Sequence, residues 1–498
     1  MTSFRAVNPH TAEEFGPEIQ NASQSEVAAA IEAANAPLLS PAERAQLLRN
    51  ISLAIESDRA KIVPLAMQES GLPEARINGE LTRTVFQINT FAELVASGAF
   101  LDPKIDRADP AYGMGPRPDI RKINQPLRVV AIFAASNFPL AFSTAGGDSA
   151  SALAAGCAVV LKAHPSHPNT SRAVFAAIQK GIADSGQPKE LFSLVEGNDP
   201  QITHWLAEHP KITAVGFTGS GAVGKLLMEL TAKREVPIPV FAEMGAINPV
   251  FVTPSAIAER NEALVKGAID SALMGSGQFC TKPGFFVVPK SHAEVFLAEV
   301  EKYLSTLTVG PLLNKGIADR YSSTISTLTK LGSVKAISAN TADAGLAVTP
   351  TFFIAEWQTV AANPELLEEH FGPTSVIAIA EESKFEEIAS SLEGQLTATI
   401  HGTENDDVKG LLAILAEKAG RVIWNAFPTG VSVTAAMQHG GQWPSSSSHT
   451  TSVGTDAIYR FMRPVSYQGM PDAFLPDGLK DSNPLSLERL VNGIRTKQ

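Results

Sequence analysis

The chain has 498 residues, 44% hydrophobic and 18% charged; this excludes a disordered polypeptide and provides core for two or three domains. A net charge of −11 argues against a nucleic-acid partner and against a basic membrane-binding face. No stretch offers the ~20 continuous apolar residues of a membrane helix, Met1–Phe15 lacks the apolar core of a secretory leader, and two cysteines, Cys157 and Cys280, build no disulfide framework, so a reducing cytoplasm is expected.

Residues 1 to about 105 read as mostly helical. Ser23–Ala36 is Ala-rich, Pro41–Asp58 has a 3.6-residue apolar period with Pro near its start, and Glu80–Phe100 repeats that period. Asp102–Pro118 is rich in Pro and Asp and reads as an excursion from the body. Ile120–Asn124 follows as a short polar strand. From Val129 the texture changes. Val129–Ala135, Ala158–Ala163, Ile212–Thr218 and Val240–Glu243 are short β-branched runs, separated by helical patterns at Thr144–Ala155, Ser171–Ser185, Gln201–Glu208 and Val223–Arg234. Such alternation predicts right-handed βαβ units and a parallel sheet buried on both faces. A second alternating region follows Pro249, with strands at Phe285–Pro289, Thr351–Ile354, Ser375–Ala380, Leu396–His401 and Arg421–Asn425. The fold class is α/β. Beyond Gly440 the chain turns irregular, with a serine cluster at Ser445–Ser448.

Cys280 follows a helix-like run, Asn261–Met274, and a small-residue break, Gly275-Ser276-Gly277, that lets the backbone approach a bound molecule. An arbitrary cysteine is usually a buried structural one; a nucleophile needs a polar, partly open setting that supports the thiolate. Gly219-Ser220-Gly221-Ala222-Val223-Gly224 fits G-x-G-x-x-G between a strand and a helix, the context of a dinucleotide site. Glu243 lies nineteen residues past Gly224, where that fingerprint expects an acid on a ribose. Two other readings stand beside it: a general base whose pKa is raised in a partly apolar cleft, and a carboxylate capping the next turn. Asn137, just past a strand, is placed to donate to an oxyanion or simply to form a turn before Pro139. Lys162, also at a strand end, is either a cofactor ligand or a solvated cation.

These pieces, in this order, resemble the aldehyde dehydrogenase superfamily: Ser136-Asn137-Phe138-Pro139, Leu161-Lys162, Gly216-Phe217-Thr218-Gly219-Ser220, Glu243-Met244-Gly245, Asn248-Pro249, Gly277-Gln278-Phe279-Cys280-Thr281 and Glu369-His370-Phe371-Gly372-Pro373. The resemblance implies a Rossmann-like cofactor domain (residues 1–103 and 126–245), a catalytic domain (246–445) and a small β bridging element with the tail (104–125 and 446–498) that builds a homodimer or homotetramer. It implies Cys280 as nucleophile, Asn137 with the Cys280 N–H as oxyanion hole, and Glu243 as activator of the deacylating water, which overrules the ribose reading. Lys162, His164, Ser166, Gly219, Ser220, Val223, Glu369 and Phe371 would contact NAD or NADP. No metal is implied. The aldehyde would become a thiohemiacetal, then a thioester, then a carboxylic acid.

Departures refine the expectation. Ser136 stands where the family often has Trp, and Gly245-Ala246-Ile247 replaces Gly-Gly-Lys. Pro165 stands where NAD-preferring members often carry a ribose-binding Glu, and Lys162 with nearby histidines then favours NADP. The segment His439-Gly440-Gly441-Gln442-Trp443-Pro444, with Ala135–Ser143 and Arg460–Val465, resembles the branch that oxidises 2-oxoglutarate semialdehyde, itself similar to long-chain fatty-aldehyde dehydrogenases. Phe142 and Arg463 are the substrate candidates, with a serine of Ser445–Ser448 as another ligand for a distal carboxylate. A CoA-acylating relative would lack the Glu243 carboxylate. A catalytically silent binding relative would lack Cys280, Asn137 or Glu243, and all three are present.

Overall fold

Five short strands, almost entirely apolar, make a parallel sheet in the order Phe192–Val195, Ala158–Lys162, Val129–Phe133, Ala214–Thr218, Val240–Glu243. The order reverses between Val129–Phe133 and Ala214–Thr218, so a crevice opens beyond their carboxyl ends. The computed structural model describes residues 3–343 and 345–497. Helices Pro41–Ser57, Glu74–Ser97 and Pro168–Asp184 pack on this sheet and share its core, with Phe91, Phe192 and Ile178 buried together. Ser23 with Glu26, and Ser40 with Glu43, form reciprocal capping boxes that set two helix starts.

A second sheet of seven strands runs Lys335–Ser338, Thr351–Glu356, Thr374–Ala380, Phe285–Pro289, Pro249–Val252, Gln395–His401, Ala419–Trp424. All its pairings are parallel except the first. A third sheet joins distant parts of the chain: Met462–Gln468, Ile120–Pro126, Lys104–Asp106, Arg489–Val491, Ile494–Thr496.

Three features depart from the sequence reading. The first residues are not helical: Ser3–Asn8 and Glu13–Gln20 form a hairpin, mostly exposed and poor in alternating apolar residues, so it carries no strand signal. Phe192–Val195, Pro249–Val252 and Lys335–Ser338 are four-residue strands, too short to show a period. Residues 446–461 do not belong with the third sheet, against the boundary expected at 445/446. The Ser447 N–H donates to the Ala242 carbonyl, and Ala457, Ile458 and Phe461 enter the core of the first sheet. No helix among the described residues is long and apolar enough to cross a membrane.

Candidate active site

The helix Pro254–Leu273 ends in a turn where Gly275, Ser276 and Gly277 take φ of 58°, 57° and 69°. Three successive left-handed residues reverse the chain sharply. At Gly277 a Cβ would lie 2.1 Å from the Gly372 carbonyl oxygen, so no side chain fits. The segment beyond is pinned from two sides. Asn248 Nδ2 lies 2.8 Å from the Cys280 carbonyl and 2.9 Å from that of Lys282, while its Oδ1 accepts from Thr397. Asn137 Nδ2 donates to the Gln278 carbonyl at 2.8 Å. Cys280 is thereby left partly exposed, facing a cavity.

Glu243 ends the last strand of the first sheet and is buried. Its Oε2 accepts from Ser452 Oγ. Its Oε1 lies 2.8 Å from His439 Nε2, a close contact whose angle is poor for a hydrogen bond. The same Nε2 is 3.6 Å from Cys280 Sγ. Sulfur, imidazole and carboxylate lie within 4.8 Å of one another. Glu243 was expected to titrate high in an apolar cleft. Burial does push it up, but the adjoining His439 imidazole, with Ser452 and Arg460, brings it below the ordinary carboxylate range. The Cys280 thiol goes the other way: burial, then the Glu243 and Glu369 carboxylates, push it well above its usual value, against a backbone hydrogen bond from Thr281. Cys157, fully buried and pushed up to about 11 by burial, is structural.

The cavity, of about 780 Å³, is lined by Asn137, Lys162, His164, Gly219, Ser220, Val223, Glu243, Cys280, Glu369 and Phe371. Ser220 precedes the helix Gly221–Ala232 and its side chain makes no capping bond, so the first turn of that helix opens on the cavity with uncapped N–H groups. A Cβ on Gly245 would fall 1.6 Å from a Glu369 carboxylate oxygen, so the glycine makes room for that acid. Lys282, buried behind Glu369, donates to the carbonyls of His370, Gly372 and Thr374. Burial pushes the Glu369 carboxyl up, with Lys282 opposing.

Ser166, Phe142 and Arg463 do not line this cavity. Ser166 Oγ accepts from Asn314. Phe142 lies 6.1 Å from the His439 ring. Arg463 does not reach the site: it lies exposed on the outermost strand of the third sheet, opposite Gln125. Three serines of the cluster are committed to backbone, and the fourth, Ser448, pairs with the Thr450 hydroxyl. Ser445 Oγ donates to Gln442 O, Ser446 Oγ accepts from Gly441 N, and Ser447 Oγ donates to Val240 O. The histidines near Lys162 add no charge at neutral pH, because burial pulls His164 and His167 below their usual range; Lys162 itself is pulled down to about 8 by burial. His439 was not foreseen as part of the site. The only signal for it was the replacement of a Phe-containing Gly-rich segment by His439-Gly440-Gly441.

A cysteine at the mouth of a parallel-sheet crevice, with a carboxylate and an amide from separate strand ends beside it, defines an aldehyde-oxidising dehydrogenase fold and site. The chain belongs to the aldehyde dehydrogenase family, whose model matches residues 1–466. It is 44% identical over 462 residues to the alpha-ketoglutaric semialdehyde dehydrogenase of Acinetobacter baylyi, covering 91% of this chain and 88% of that one. It is 41% identical over 505 residues to alpha-ketoglutaric semialdehyde dehydrogenase 2 of Azospirillum brasilense, covering 99% and 96%. In fold it is similar to the solved glyceraldehyde-3-phosphate dehydrogenase of Methanocaldococcus jannaschii complexed with NADP: TM-score 0.81, 22% identity, 93% of this chain and 98% of that one. Enzymes of this family use NAD(P).

Proposed function

We propose that this chain oxidises 2-oxoglutarate semialdehyde to 2-oxoglutarate with NAD(P), through a thioester on Cys280. The observation that carries the reading is the convergence of Cys280 Sγ, His439 Nε2 and the Glu243 carboxylate within 4.8 Å at the cavity that Asn137 also lines. The names of the two close relatives support the choice of substrate.

The cavity fits the cofactor. The uncapped turn at Ser220 suits a pyrophosphate, Lys162 a ribose, and Glu369, seated over Gly245, the nicotinamide ribose. When bound, NAD(P) supplies the acceptor for the hydride that leaves the substrate carbon. The chain's own residues do the rest. Cys280 gives its proton to His439, and the imidazolium is held by Glu243. The sulfur attacks the aldehyde carbon, and the oxyanion is met by Asn137 Nδ2 and the Cys280 N–H, each donor worth roughly 3–4 kcal/mol. Once the thioester has formed, Glu243 takes a proton from the attacking water, and the carbon–sulfur bond breaks to release the acid.

NADP is the preferred form in this reading, since Pro165 puts no carboxylate where a 2′-phosphate would lie and Lys162 stands beside it. The third sheet, with Met462–Gln468 as an edge strand, supports assembly into a homo-oligomer, and the expected division into cofactor, catalytic and bridging parts is kept with 446–461 moved to the body. Two free cysteines suit a reducing compartment, the cytoplasm. The test is kcat/KM for 2-oxoglutarate semialdehyde, succinic semialdehyde and decanal, each with NAD and NADP. The first should lead with either cofactor; decanal in the lead would replace this reading with the fatty-aldehyde one.

A further inference from the structure

Next to His439 the site is walled by rings. Phe138 meets Phe142 and Phe279 edge-on, with centroids 5.1 and 5.0 Å apart, and Phe142 leads on to His439. Two arginines of the helix Glu74–Ser97 cover this wall. Arg76 lies 4.4 Å over Phe138 and pairs with the buried Glu80 at 3.1 Å; Glu80 in turn accepts from the Leu140 and Ala141 N–H groups. Arg76 is therefore part of the support for the Phe138–Phe142 loop. Arg421 is likewise committed, to the carbonyls of Gly430 and Pro428.

Arg83 is different. Its guanidinium stacks over Phe142 at 5.1 Å. Nη2 makes one long bond, 3.3 Å, to the Val431 carbonyl, and Nη1 is buried with no partner among the described residues. Burial pulls the guanidinium down; Glu80 opposes this, Arg76 adds to it, and Cys280 and Glu243 lie near enough to push it back up. An unpaired buried N–H is costly, and a guanidinium best satisfies it with a carboxylate or a keto acid.

We propose that Arg83 reads the carboxylate end of the substrate, so that the enzyme selects short aldehydes bearing a distal α-keto acid. The inference rests on the aldehyde-oxidising reading above and names the residue that sets its substrate class. With the aldehyde carbon at Cys280 and the cofactor in the cavity beyond, the rest of the substrate runs along Phe142 towards Arg83. A fatty acyl tail in that place would leave Nη1 unpaired and desolvated, which disfavours it.

The test is the ratio of kcat/KM for 2-oxoglutarate semialdehyde to that for pentanal, in wild type, Arg83→Met and Arg83→Lys. The ratio should fall about 100-fold in Arg83→Met, chiefly through KM for the keto acid, and recover in part in Arg83→Lys. A second readout does not need turnover. The product 2-oxoglutarate should slow iodoacetamide alkylation of Cys280 in wild type and not in Arg83→Met, and Arg83→Gln serves if the Met variant does not fold. A strong wild-type preference that survives in Arg83→Met, with protection intact, overturns the arginine assignment and leaves the substrate reading standing. A wild type that does not favour the keto acid over pentanal overturns both.

Discussion

The Cys280 thiol is held protonated at neutral pH by burial and by two carboxylates, and this fixes how its neighbours must act. A thiol needs a base, and His439 Nε2 at 3.6 Å is placed to be that base. His439→Gln should lower kcat/KM by about 10²–10⁴-fold while leaving NAD(P) binding, read by fluorescence titration, unchanged; a variant with wild-type turnover would remove the imidazole from the mechanism. Glu243→Gln should give a burst of reduced cofactor and then stall as a thioester. Because the Glu243 charge raises the thiol pKa, its removal lowers that pKa, so more thiolate is present near neutrality. The pH profile for alkylation of Cys280 should therefore shift to lower pH in Glu243→Gln. A shift to higher pH would contradict the electrostatic picture.

Short connecting segments, more than the strands they follow, decide the shape of the site. Three left-handed residues before Gln278 swing the cysteine round, and the 2.1 Å approach of Gly372 to a Cβ at Gly277 leaves the backbone no alternative. Gly277→Ala should lower Tm and abolish activity together, since the collision is with backbone that cannot move away. Gly245→Ala should behave differently. There the Cβ meets the end of the Glu369 side chain, which can swing aside. The fold should survive, and the half-saturating NAD(P) concentration should rise with little change in the alkylation rate of Cys280. Equal effects on cofactor and thiol would show that Glu369 is not the group displaced.

Across the whole fold, burial of neutral histidines links stability to pH. His401 is buried against Phe427, and its pKa is pulled down to about 4 by burial, with Arg260 adding to this. Its unfolded pKa is near 6.5. Between these values the unfolded chain binds a proton that the folded chain refuses. Stability is therefore full above about 6.5 and falls as pH drops towards 4, by about 1.4 kcal/mol per pH unit for this one group. Tm measured from pH 7 to 4.5 should fall less steeply in His401→Phe, which keeps the ring and loses the titration. An equal slope in both proteins would place the acid sensitivity elsewhere.

The alternation of apolar runs and helices, the glycine turn before Cys280, and the acid and amide at two strand ends are local patterns, so they were legible from residue order. Periodicity and strand-end position are properties of neighbours in the chain. His439 and Arg83 were not legible in that way, because His439 meets the thiol, and Arg83 the Phe142 ring, from far along the chain, and a lone His or Arg in a sequence carries no sign of what it will face. The neutral state of His164, the lowered Glu243 and the commitment of Ser445–Ser447 to backbone also depend on burial and on partners that only folding supplies. Residue order specified which elements form and where ligands gather at their ends; packing set the charge of each group and the company it keeps, because electrostatics act through space and desolvation depends on everything folded around a site.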